Sequence, residues 1–71
     1  MTAYKNFCGT REEYVNHLKE RLTFWAKKFS EESRTDLRYE IANRMENAAQ
    51  QLSAEGMNWD EIEAIETAAM A

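Results

Sequence analysis

The chain has 71 residues and a mass of 8.3 kDa, with 44% hydrophobic and 31% charged residues, the composition of one small soluble globular domain. No run approaches the ~18 consecutive apolar residues of a membrane span, and the N-terminus lacks the basic and apolar regions of a signal peptide, so a cytoplasmic protein is expected. The formal net charge is −4, and the single cysteine, Cys8, excludes an internal disulfide and a cysteine zinc cluster.

Without a covalent staple, the energy balance of so short a chain is tight. From 8.3 kDa, the unfolded chain exposes roughly 12,000 Å² and a compact monomer roughly 4,600 Å². If about 57% of the difference is apolar, its burial supplies ~105 kcal/mol, against ~107 kcal/mol of ordering entropy. This near-balance predicts that the chain buries further surface against another protein or as a homodimer.

Residues 1–10 read as an N-terminal arm in which Tyr4 and Phe7 either tuck against a helix end or stay loose. The chain has no proline and only Gly9 and Gly56 as breakers, so everything between those glycines is open to helix. Thr10-Arg11-Glu12-Glu13 forms a capping box and predicts a first helix over 11–29. Its apolar residues Val15, Leu18, Leu22, Trp25 and Phe29 are spaced 3, 4, 3 and 4, a heptad seam flanked by Tyr14 and Phe24.

Ser30 to Ser33 read as a short polar connection, with Ser33 and Asp36 as the start signal of a second helix over 34–54. Leu37, Ile41, Met45, Ala48 and Leu52 make its apolar stripe, with Ala42 and Ala49 beside it allowing close approach. Two helices of similar length and a short link predict an antiparallel hairpin. Gly56 is placed to end the second helix in a left-handed conformation, and Asn58 to cap a short third helix over 59–70, with Glu61 at its third position. Met57 and Ile62 are spaced for a hydrophobic staple, and Trp59, Ile62, Ile65 and Ala69 mark one apolar side. The expected fold is all-α: an antiparallel hairpin with a short third helix, paired as a homodimer.

Charge is uneven along this chain. The first helix carries Arg11, Lys19, Arg21, Lys27 and Lys28, whereas residues 56–71 hold Asp60, Glu61, Glu63 and Glu66 and no base. The Leu52 to Ile62 stretch has the outline of a helix-turn-helix, but its second helix would turn four acids toward a phosphate backbone. That argues against nucleic acid as the partner and leaves a DNA-associated transcriptional regulator, built on the basic first helix or a degenerate helix-turn-helix, as the rival reading. With Val15 at position a, Arg21 and Lys28 fall at g, Lys19 at e and Lys27 at f, so these bases flank the seam, as charges that select a partner helix do.

His17 has Glu13 and Glu20 at helical spacing, yet further ligands from facing helices are lacking, so no metal site and no cofactor are predicted. Cys8 lies outside the helix that carries His17, and no nucleophile, base and orienting group come together, so no catalytic residues are assigned and the chain is read as non-enzymatic. The aromatic and methionine content points to protein contacts. The interface is placed on Val15, Leu18, Leu22, Trp25 and Phe29, with Met45 contributed by the second helix.

The stretch from Tyr4 to Phe29, followed by an alanine-rich acidic C-terminal half, resembles the small all-helical accessory proteins encoded in the early region of lambdoid bacteriophages. The resemblance implies a non-enzymatic regulatory protein in the host cytoplasm that biases the choice between lysis and lysogeny through host or phage proteins. It carries over no functional residue.

Overall fold

The computed structural model describes residues 9–71, which form three α-helices and no strand. The expectations that fall on Tyr4, Phe7 and Cys8 lie outside the described residues. The first helix, α1, spans Arg11–Glu31, α2 spans Thr35–Ala54 and α3 spans Trp59–Met70. No helix among the described residues is long and apolar enough to cross a membrane.

The start of α1 is fixed as its local chemistry requires. The Thr10 hydroxyl accepts from the Glu13 amide at 3.1 Å, and the Glu13 carboxylate accepts from the Thr10 amide at 3.3 Å, closing the capping box. The helix runs two residues beyond the expected Phe29, because nothing at Ser30 or Glu31 breaks it. Ser30 turns its hydroxyl back onto the Lys27 carbonyl, and the Glu32 amide still reaches the Lys28 carbonyl. The expected cap at Ser33 is not used: α2 starts at Thr35 behind Arg34, whose amide donates to the Glu32 carboxylate at 3.0 Å. Arg38 adds a guanidinium bond to the Glu32 carbonyl, which ties the link to α2.

At its other end α2 closes in a Schellman turn. The Met57 amide donates to the Leu52 carbonyl and the Gly56 amide to the Ser53 carbonyl, with Gly56 at φ +103°. A side chain at that φ would be strained, which is why glycine stands there. Asn58 follows at once as the cap of α3, its side-chain oxygen accepting from the Glu61 amide at 2.9 Å.

Cross-contacts show that α1 and α2 are antiparallel. Arg11 meets Glu55 and the Tyr14 hydroxyl reaches Gln51 near one end, while Trp25 meets Arg44 and Phe29 meets Arg38 toward the other. The third helix packs mainly on α1 and only lightly on α2. One core results, built from Tyr14, Leu18, Leu22 and Ala26 of α1, Met45, Ala48, Ala49 and Leu52 of α2, and Ile62 of α3. The innermost α1 line therefore advances by four residues at each step. Covering two neighbours requires a broader face than a 3-4 seam. Tyr14 and Ala26 enter the centre as a result, and Val15, Trp25 and Phe29 sit at its margins. Trp59, expected on the apolar side of α3, is instead half exposed.

Candidate interaction surface

The large rings near the end of α1 are partly sheltered by cations. Arg38 stacks over Phe29 with 4.2 Å to the ring centroid, and Arg44 lies over Trp25 at 5.2 Å. Both arginines come from α2, so the hairpin supplies a partial cover that a search for apolar residues alone would miss. Phe24 packs edge-on against Trp25 at 5.0 Å and has Lys28 at 5.5 Å, but remains half exposed.

The predicted interface residues divide accordingly. Leu18 and Leu22 are 1% and 0% exposed within the single chain, and Met45 is 7% exposed, so these three already belong to the internal core. Val15, Trp25 and Phe29 are partly buried around it. The heptad seam thus faces inward at its centre, and the apolar surface still open to solvent lies elsewhere.

That surface follows from the shortness of α3. Twelve residues at 1.5 Å make α3 about 18 Å long, against about 30 Å for each arm of the hairpin. Because α3 leans on α1, a trough of about 310 Å³ opens beside α2, with Phe29, Ala42, Met45 and Ala49 along it and Glu46, Trp59 and Glu66 at its sides. A second hollow of about 300 Å³ shares Phe29 and Ala42 and extends the trough toward Thr35, Arg38 and Tyr39. Tyr39 is the most exposed large ring among the described residues, at 71%. Thr35, Tyr39, Ala42, Glu46, Ala49 and Ser53 are spaced 4, 3, 4, 3 and 4, a second heptad line on α2. Three polar members hide it from a reading based on hydrophobicity. Its register was the available signal.

The trough is polarised. Glu46 and Glu66 stand toward one end, and Arg38 at the other. Burial raises the Glu66 carboxyl above its ordinary range, and the neighbouring charge of Glu63 adds to the effect. Among the described residues, Glu66 has no hydrogen-bond or ion-pair partner. The basic ridge of Phe24, Lys27 and Lys28, which together with Glu31 lines a hollow of its own, is separate from this trough, with Phe24 about 140° round α1 from Phe29.

The remaining candidates are placed as follows. Glu13 is engaged in the capping box of α1, and His17 is exposed on the same helix. No group of three or more His, Cys, Asp or Glu side chains among the described residues is arranged to hold a metal ion. The turn with the outline of a helix-turn-helix is the Schellman turn and Asn58 cap described above, with Asp60 and Glu61 in the first turn of α3. Those acids complement the positive end of their own helix. Comparisons of this chain with protein-family models, with curated proteins and with solved structures give no match.

Proposed function

We propose that this chain is a non-enzymatic protein–protein interaction module that acts as a homodimer and exerts a regulatory effect through the proteins it contacts. The observation that carries this reading is the apolar trough beside α2, bordered by the exposed rings of Tyr39 and Trp59. Aromatic side chains around an apolar hollow, with charges at the rim, make up the usual anatomy of a binding surface. The chain's small core is a second support, since a 71-residue domain without staples gains proportionally more than a large one from added burial. The resemblance to phage early-region proteins supplies the setting: a regulator of host or phage development in the host cytoplasm.

Sedimentation equilibrium of the full chain, from low to high micromolar concentration, tests this reading. The expected result is a reversible shift from 8.3 kDa toward twice that mass. A monomer that persists at high micromolar concentration would overturn it.

A further inference from the structure

We propose that two copies of this chain pair through the second heptad line of α2, antiparallel about a two-fold axis at Ala42, with Tyr39 of each copy seated in the trough of the other. The inference rests on the reading above that the chain self-associates, and names the surface by which it does so.

A two-fold interface must be self-complementary, so each copy has to present both a projection and its receptacle on one face. The α2 flank does this. Tyr39 projects from it at 71% exposure, and about one to three turns further along α2 the trough opens between Ala42, Met45, Glu46 and Ala49. Four residues on one helix around a hollow are the receptacle into which a side chain from a facing helix inserts. A volume of about 310 Å³ accommodates a phenol ring.

Register follows from size and charge. Ala42, small and only partly buried, lets two helices approach closely at the crossing point. With Ala42 facing the partner's Ala42, antiparallel helices bring Tyr39 opposite the partner's Met45, Thr35 opposite the partner's Ala49, and Arg38 opposite the partner's Glu46. Large residues then meet small or recessed ones, and each crossing carries two opposite-charge pairs. Arg38 and Glu46 are eight residues apart, about 12 Å along α2, too far to pair within one helix. The two Glu46 carboxylates are likewise about 12 Å apart along the axis in this register, beyond the ~8 Å screening length at physiological salt. Seated in the trough, the Tyr39 hydroxyl comes to the side formed by the partner's Trp59 and the partner's Glu66, a carboxylate that has no hydrogen-bond donor among the described residues of one chain.

The basic ridge at Phe24 is the other occupant to consider, since its lysines would suit an acidic trough. Ridge and trough lie on different sides of the molecule, so joining them copy to copy makes a head-to-tail contact that does not close in a pair. Such a contact produces larger assemblies.

Sedimentation equilibrium on the wild-type chain, five variants on the α2 flank and a sixth changed at Phe24, Lys27 and Lys28 tests the pairing, with circular dichroism confirming that each variant melts cooperatively. Ala42→Arg, which places two guanidinium groups at the two-fold axis, is expected to sediment as a monomer while remaining helical. Tyr39→Ala is expected to weaken pairing by about tenfold or more. Arg38→Glu and Glu46→Arg should each weaken it, and the Arg38→Glu, Glu46→Arg double variant should recover most of the loss, which a purely structural role of Arg38 would not produce. A wild-type dimer that persists unchanged in folded Ala42→Arg and Tyr39→Ala overturns this surface and leaves the homodimer reading standing. Open-ended assemblies, or a dimer lost only on changing Phe24, Lys27 and Lys28, also overturn it. A wild type that stays monomeric overturns both.

Discussion

Arg11 and Glu55 clamp the open end of the helical hairpin. The Arg11 Nε donates to the Glu55 carboxylate at 3.0 Å, while its Nη2 donates to the Glu55 carbonyl. The Glu55 side chain is 4% exposed and Arg11 is 56% exposed, so the carboxylate is held inside with its counter-charge at the surface. Joining the first residue of α1 to the C-cap of α2, the clamp also places a cation at the negative end of the α2 dipole.

Arg11→Ala leaves a buried carboxylate without its donor. The expected cost is about 1–3 kcal/mol, an amount that removes several degrees from the melting temperature of a domain this size. Thermal melts followed by circular dichroism at neutral pH measure it. A variant that melts with the wild type would show that water replaces the guanidinium at no cost.

Gly56→Ala isolates backbone strain. A Cβ built on Gly56 meets nothing within 4 Å, so crowding contributes nothing and the φ of +103° accounts for the whole effect. The expected loss is ~1–2 kcal/mol in a urea titration with an unchanged slope. No loss would mean that the turn readily adopts another geometry.

Leu22→Ala and Ile62→Ala each remove a side chain that is 0% exposed within one chain. Each is expected to cost 2–5 kcal/mol by the general rule for such truncations, roughly, which is enough to unfold a domain of marginal stability. The loss should be seen in dilute and in concentrated solution alike. A loss that appeared only at concentrations that support pairing would assign Leu22 to a contact between chains instead.

Glu66 gives a pH dependence of definite sign. Its carboxyl titrates higher in the folded chain than its ordinary 4.5, through burial first and the Glu63 charge second. The folded state therefore binds this proton more tightly than the unfolded state, and the associated stability is complete below the ordinary value and lost as pH rises through the raised one. Glu66→Gln, which cannot ionise, is expected to melt above the wild type at pH 7 and together with it below about pH 4. Melts of dilute protein at both pH values check this, and a variant that melts lower at pH 7 contradicts the sign.

Local chemistry made much of this fold legible from residues alone. Thr10 with Glu13, Gly56 after a helical run and Asn58 before Trp59 each act within a few residues of backbone, so the helix starts they govern and the turn at Gly56 stand where the sequence places them. The link between α1 and α2 was less legible, because Ser33 does not cap α2 and the link is instead tied by the Arg34 amide on the Glu32 carboxylate and by Arg38, which bonds the Glu32 carbonyl and stacks over Phe29.

The inward faces were not legible in the same way. Heptad spacing on α1 fits one facing helix, whereas α2 and α3 both pack on α1, with Tyr14 and Ala26 interior and Val15, Trp25 and Phe29 at the margin. The shelter of Trp25 and Phe29 under Arg44 and Arg38 is likewise a contact between residues far apart in the chain. The sequence by itself determined an all-helical chain, its turn at Gly56 and its acidic third helix, since backbone hydrogen bonds, caps and charge are properties of neighbouring residues. Only the tertiary structure decided that the open apolar surface lies beside α2, because the trough exists where a short third helix packs on α1 and leaves one flank of α2 uncovered.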